Sequence, residues 1–395
     1  MDRDRFGPAI MQTTVHRTIF DFDEREWDAL APQDILASYG WLATVEESST
    51  EQIGFFYIVV RDDDRLVGAA VCHMIPDRKY DGLDYMVYGS AMSIARHSGL
   101  MLVPALVVGS RYGMSAPFLI DETLPETRRA EVRRQLLESV MEHASDASAT
   151  LILRNAGARD ADLEAAGLLP SPELPTSYLD IPWRTFEEYR KALKKIHPRT
   201  AKGMRHAWNL HRRRGLVAER ITDPGQCGAE LHGLLASQYE RLNEAKLPFN
   251  PAFLANALKH LGDRVMIRAT RDELGYTGIE LDTAQGGHAR SMMIGIDQGR
   301  GRAAGAYFFL IDDGIRRAID AGHRRLYLGR MLYNVKLRRG CSLALATMWI
   351  KPRTPYHRVV LKPFLRLRTA KMSRMIDAMM PVSNANAETL GGGRG

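Results

Sequence analysis

Short apolar runs alternate with stretches of helical spacing along the whole chain. Residues 54–60 and 66–74 are rich in β-branched and aromatic side chains. They flank the acidic turn Asp62-Asp63-Asp64, and the pattern predicts a hairpin. Residues 102–108 and 150–154 read as further buried strands. Between them, 126–144 places Val132, Leu136, Leu137, Val140 and Met141 near helical spacing, which predicts an amphipathic helix. Pro170, Pro172, Pro175 and Pro182 crowd the stretch 169–182. Proline at that density breaks helices, so a domain junction is expected there.

The second half follows a similar logic. Residues 186–196 and 200–214 read as basic helices, 216–221 as a strand, and 228–243 and 252–261 as helices. Three strand-like segments follow at 264–270, 275–281 and 290–296. A strong helix over 306–321 stops at Gly322. A strand at 326–328, a short helix over 331–338 and a last strand at 342–350 complete the pattern. Helices and strands alternate in both halves, so the class is α/β or mixed α+β, and the halves read as copies of one fold. The expected domains are 1–177, 178–358, and a basic amphipathic C-terminal helix with a flexible glycine-rich tail over 359–395 (glycine-rich at 391–395).

Composition narrows this. The chain has 395 residues, 45% hydrophobic and 26% charged, a globular balance that fits two or three domains and excludes a disordered chain. No run is long and apolar enough for a transmembrane helix. The first twenty residues carry early acids and no apolar segment, so no secretory signal is expected. Cys72, Cys227 and Cys341 are odd in number and widely spaced, which suggests neither a disulfide framework nor a metal motif. A reducing cytoplasm is the expected compartment. The net charge is +7, but it divides into −12 over 1–177 and +19 over 178–395. Ten Lys and Arg fall in 190–218 and fourteen in 321–376, with no acid in either run. Two such runs suit a polyanion: RNA, a nucleotide phosphate or an anionic membrane.

The sharpest local motif is Gln298-Gly-Arg300-Gly301-Arg302-Ala303, between an apolar strand ending at Asp297 and the helix opening near Gly305. A glycine-rich strand-to-helix turn offers backbone N–H groups to a pyrophosphate or a carbonyl oxygen. The histidines show no ligand spacing, so no metal is expected. A Gly-x-Ser-x-Gly elbow and a Walker loop are both lacking in the sequence.

Residues 186–355 resemble the acyltransferase domain shared by Fem-type and related GNAT-superfamily proteins. Four features carry the resemblance in order: the basic stretch from Lys194 to Lys202 with His211 to Gly215; Tyr239-Glu240-Arg241 followed by Leu247-Pro248-Phe249; the strand, loop and helix around 296–319; and Ala318 to Gly329 followed by Tyr333-Asn-Val-Lys336-Leu-Arg-Arg-Gly340. The loop has the Gln-x-x-Gly-x-Ala form with which GNAT enzymes cradle coenzyme A. The first half resembles the N-terminal GNAT-like domain through 38–48. One departure is Val335, where Fem ligases usually carry Phe.

The resemblance implies two tandem GNAT-like domains, each a mixed central sheet flanked by helices. It implies direct transfer of an acyl or aminoacyl group to an amine or hydroxyl, without a covalent enzyme intermediate. The donor is a charged tRNA or, alternatively, a coenzyme A thioester; a non-catalytic RNA- or membrane-binding module on the same scaffold is a third reading. Lys336 matches the signature lysine, and Tyr333 stands one turn before it. Asp297, Glu280 and Asp282 are candidate bases. Gln298, Arg300, Gly301, Arg302, Ala303 and Arg330 are candidate phosphate contacts, and Arg199, Lys202, Arg205, Arg212 and Arg213 candidate contacts to tRNA. A peptidoglycan precursor, a small molecule and a protein terminus are all open as acceptor. The helix over 359–380 is expected to pack on its own domain, with an anionic membrane or RNA as the other reading.

Overall fold

The computed structural model describes residues 11–51, 53–76, 82–89, 92–110, 112, 115–157, 159–225, 227–243 and 245–391. The tail expected at 391–395 lies outside them, apart from the backbone of Gly391. The chain divides into two compact units. The first takes the described residues up to Glu46, then those of Gln52–Glu173 and Ala346–Met375; the second takes Glu47–Glu51, Leu174–Leu345 and the described residues from Ile376 onward.

In the first unit, β1 (Met11–His16), β2 (Gly54–Asp62), β3 (Arg65–Ile75), β4 (Ala105–Val108), β5 (Leu119–Ile120), β6 (Thr150–Ala156) and β7 (Leu169–Pro172) are joined by a strand from much later in the chain, β15 (Thr347–Lys351). The sheet order is β1-β2-β3-β4-β6-β15-β7, with β5 on β3. Only β4 and β6 run parallel. The helices are α1 (Glu24–Asp28), α2 (Tyr39–Ser48), α3 (Gly82–Tyr88), α4 (Met92–His97), α5 (Glu126–Asp146) and α6 (Ala161–Ala165). The periodic face of α5, Val132, Leu136, Leu137 and Val140, is buried against the sheet as its spacing requires.

The second unit contains β8 (Thr176–Asp180), β9 (Val217–Ile221), β10 (Val265–Asp272), β11 (Gly275–Gln285), β12 (His288–Ile296), β13 (Arg325–Gly329) and β14 (Ser342–Ala344). Their order is β14-β8-β13-β12-β11-β10-β9, and only β12 and β13 are parallel. The two sheets therefore share one pattern: four antiparallel strands, one parallel neighbour and two more strands. The helices are α7 (Phe186–Ile196), α8 (Pro198–Arg213), α9 (Gly228–Asn243), α10 (Phe253–Leu261), α11 (Arg300–Ala303), α12 (Ala306–Asp320) and α13 (Tyr333–Leu337). Tyr189, Leu193, Met204, Ile311, Ile315 and Leu326 form the core between α7, α8, α12 and the sheet. The last helix, α14, runs Pro355–Asn386.

Three elements differ from the pattern along the sequence. The proline-rich stretch holds two strands, β7 and β8, in different sheets, because Pro170 and Pro172 sit on a strand at the end of its sheet, where a missing N–H costs little. The single strand expected over 342–350 is two, β14 and β15, again in different sheets. The C-terminal helix begins earlier and ends later than 359–380.

Candidate active site

The parallel pair β12 and β13 defines the site. They pair only from His288 to Arg290 against Arg325 to Tyr327. Beyond that point the residues of both strands line a cavity of about 230 Å³, with Ser291–Ile294 on one side and Leu328 with Arg330–Leu332 on the other. Gln238 and Tyr239 of α9, Tyr307 of α12 and Lys336 of α13 complete it. A bulge shapes the β12 wall. Leu281 faces Met293 while Asp282 faces Ser291, so Met292 is the extra residue. Such an insertion leaves its backbone outside the ladder and re-aims its neighbours.

The segment after β13 is strained. Gly329, Met331 and Leu332 have φ of 69°, 67° and 50°. Only glycine adopts this region freely, and side-chain-bearing residues held there cluster at functional sites. Lys336 holds the segment. Its Nζ donates to the carbonyls of Gly329 at 3.2 Å and Arg330 at 2.8 Å. Lys336 is only 5% exposed, and burial lowers its ammonium to about 8. Tyr333 is turned elsewhere: its hydroxyl donates to the Pro175 carbonyl at 2.8 Å, and burial raises its phenol. The turn of α13 is anchored from below. Arg339 Nε donates to Asp312 of α12 at 2.6 Å, and Tyr189 Oη donates to the Arg339 carbonyl at 2.9 Å.

Behind the β12 wall lies a buried charge cluster. Ser291 Oγ donates to Glu280 at 3.0 Å, and Arg317 Nη2 holds the other Glu280 oxygen at 2.7 Å. Arg317 also pairs with Asp282 and Asp313, and Arg268 and Arg316 pair with Asp313. Glu280 is fully buried. A Cβ on Gly314 would stand 2.9 Å from its carboxylate, so a side chain at that helical position would displace Glu280. Burial first, then the neighbouring Asp282 charge, push the Glu280 carboxyl up to about 8, with Arg317 opposing.

The glycine-rich loop is arranged differently from a phosphate cradle. Asp297 Oδ1 accepts from the backbone N–H groups of Gly299 at 3.0 Å, Arg300 at 2.6 Å and Gly301 at 3.4 Å. The N–H groups of Arg302 and Ala303 go to the carbonyls of Asp297 and Gly299. Gly301 is needed because a Cβ there would lie 2.1 Å from the Thr277 carbonyl oxygen. Arg300 pairs with Asp272, and Arg302 and Ala303 face solvent. Gln298 reaches the cavity only through Gln238, at 2.9 Å.

Lys336 and Arg330 thus line one cavity, with Glu280 behind Ser291, while Asp297, Tyr333 and the loop lie outside its lining. Arg199, Lys202, Arg205, Arg212 and Arg213 are all exposed on α8, and none has a carboxylate partner among the described residues. Sequence reasoning passed over Ser291, Tyr307, Gln238 and the Met292 bulge. A lone serine in the apolar strand 290–296 was the available signal. Among the described residues, no helix is long and apolar enough to cross a membrane, and no group of three His, Cys, Asp or Glu side chains could hold a metal ion.

The fold is that of a solved Fem-type protein. The chain is similar to the crystal structure of FemX, with a TM-score of 0.56 and 13% identity over 89% of this chain and 100% of that one. Lower-scoring likenesses include a tandem GNAT protein from the clavulanic acid biosynthesis pathway (TM-score 0.48, 13% identity, 88% and 99% covered). Another is L-PGS from Bacillus licheniformis (TM-score 0.48, 12% identity, 89% and 98% covered). At these identities the likeness is one of fold. No protein-family model matches the chain, and no curated protein matches its sequence.

Proposed function

We propose that this chain is an acyltransferase that moves an aminoacyl group from a charged tRNA directly to an amine or hydroxyl. The choice of donor rests on one observation, the Asp297 carboxylate seated on the loop N–H groups. A pyrophosphate cradle needs those donors free and an electropositive field. Here all five N–H groups from Gly299 to Ala303 are taken, three of them by a carboxylate that opposes a second anion. The loop therefore does not fit coenzyme A, and no step is routed through that cofactor. The five exposed cations of α8, which have no carboxylate partner among the described residues, supply instead a surface for a phosphodiester backbone. A tRNA donor puts the reaction in the cytoplasm. The acceptor is a small molecule, a peptidoglycan precursor or a protein terminus bearing the nucleophile.

In this reading the ester carbonyl lies in the β12–β13 cavity. The third N–H of Lys336 stabilises the oxyanion. The acceptor nitrogen bonds to the carbonyl carbon and passes a proton through Ser291 Oγ to Glu280. The bond to the ribose oxygen then breaks, and the same path returns the proton to that oxygen. No net proton is gained or lost.

Donor identity is tested by measuring binding of bulk tRNA and of labelled coenzyme A over a salt series, with turnover before and after RNase. Steeply salt-sensitive tRNA binding and RNase-abolished product are expected. Coenzyme A binding with RNase-resistant turnover would overturn the reading. Ser291→Ala is expected to lower kcat about 10²-fold or more. In the wild type Glu280 must be ionised and Lys336 must keep its ammonium proton, and burial brings both to about 8, so kcat is expected to rise on the acid side as Glu280 ionises and to fall on the basic side as Lys336 loses its third N–H. The groups acting on Glu280 are Arg317 and Tyr307 of α12, Asp282 of its own strand, Arg268 of β10 and Ser291 of β12, with Asp313 of α12 paired to Arg317 and Arg268 beside them. Ser291→Ala should flatten that rising limb; an unchanged profile would remove Ser291 and Glu280 from the reaction.

A further inference from the structure

The basic run that begins at His323 extends into α14, whose two faces differ. One face is buried in the first unit through Leu361 and Leu365, with Val360 and Phe364 partly buried beside them. The opposite face carries Tyr356, Val359, Pro363 and Leu367, at spacings of three, four and four residues, an apolar stripe along one side of the helix. Tyr356 is 61% exposed, Val359 72% and Leu367 71%. The stripe is about 17 Å long. Lys362, Arg366, Lys371 and Arg374 flank it, all exposed, and none has a carboxylate partner among the described residues. No acid occurs from Pro355 to Ile376.

We propose that this face of α14 docks on an anionic membrane surface, with Tyr356, Val359, Pro363 and Leu367 in the headgroup boundary and the cations on lipid phosphates. Charge complementarity selects the occupant: four exposed cations with no carboxylate partner among the described residues, on a segment without an acid, favour an anionic partner. The apolar stripe selects among anions. Val359, Pro363 and Leu367 have no π-face on which a base could stack, so RNA leaves them wet. A bilayer buries them while leaving the cations at headgroup level. The inference is independent of the donor at the active site.

The test is co-sedimentation of the full chain with vesicles of equal parts phosphatidylglycerol and phosphatidylcholine, and with pure phosphatidylcholine, at about 0.1 M salt. Partitioning to the anionic vesicles is expected to be at least tenfold stronger, and to weaken as salt rises. The double variant Val359→Glu with Leu367→Glu is expected to lose at least tenfold, and Lys362→Glu with Arg366→Glu to lose the preference for anionic lipid. All four positions are exposed, and circular dichroism melts report whether each variant folds. Equal binding to both vesicle types would overturn the proposal, as would binding that neither variant alters. A tenfold loss of tRNA affinity in the Val359→Glu with Leu367→Glu variant, without a loss of vesicle binding, would also overturn it and assign the face to RNA.

Discussion

Replacing Lys336 by methionine is expected to lower transfer about 10²- to 10³-fold, the usual cost of removing one donor to a developing oxyanion. The loss should fall on kcat more than on KM, because the interaction strengthens as charge builds on the carbonyl. Two further consequences separate this role from a structural one. Burial holds the native ammonium at about 8, against about 10.4 in an unfolded chain. Between those values the unfolded state binds more protons than the native state, so this group makes stability rise with pH across that window. Below pH 8 the full penalty for a buried charge is present, about 3 kcal/mol. The methionine variant lacks that slope. It gains by losing a buried charge and loses by leaving the Gly329 and Arg330 carbonyls without their donor, about 1–3 kcal/mol. These effects oppose each other, so near neutral pH its stability should stay close to wild type while activity is lost. Urea unfolding at pH 7 and pH 10, with single-turnover kinetics, checks both halves. A variant that retained kcat would leave Lys336 only as the clamp on the strained segment.

The position of Lys336 was singled out in the sequence by a signature spacing, and the structure places the residue in the cavity lining. Most elements were legible from helically spaced apolar positions, as in α5, or from continuous apolar runs, as in the β2–β3 hairpin, whose strands are buried on both faces. What stayed hidden has physical reasons. Sheet membership is set by long-range pairing, and nothing local in Thr347–Lys351 tells that it pairs with β6 rather than extending β14. Local chemistry bears on Asp297 as well. An aspartate two residues before a glycine commonly hydrogen-bonds its own following backbone. That signal competes directly with reading Gln298 to Ala303 as a phosphate loop. Ser291 was invisible for another reason: its orientation depends on a one-residue bulge, and an insertion in a ladder leaves no periodic trace in a strand this short. Asp312 and Asp313, two adjacent acids buried in the middle of α12, contradict the polar-out expectation and become intelligible only with Arg339, Arg268 and Arg317 in place.

The pair formed by Asp312 and Arg339 yields the largest expected loss of stability. Their side chains are 0% and 7% exposed, and among the described residues the Asp312 Oδ2 atom has no hydrogen-bond partner. Arg339 also donates to the Val335 carbonyl at 3.2 Å and lies over the Phe308 ring. Arg339→Met removes the countercharge and strands a carboxylate in the core, which costs about 3–5 kcal/mol. Burial already raises the Asp312 carboxyl, with Arg339 opposing that rise; without the guanidinium it rises further. An acid whose native pKa exceeds its unfolded one keeps a proton that the unfolded chain releases, so stability falls as pH climbs between the two values. The Arg339→Met deficit should therefore be smaller at pH 5 than at pH 8. Adding Asp312→Leu should recover most of the loss, since an apolar pair of similar volume is often no worse than a buried ion pair. Activity should not recover in parallel. The Val335 carbonyl would still lack its donor, so the turn that carries Lys336 would be held less tightly. Urea midpoints at two pH values for the single and double variants, alongside kcat, separate the electrostatic part of the anchor from its positioning of Lys336. A deficit that did not change with pH would mean that Asp312 is not the stranded charge.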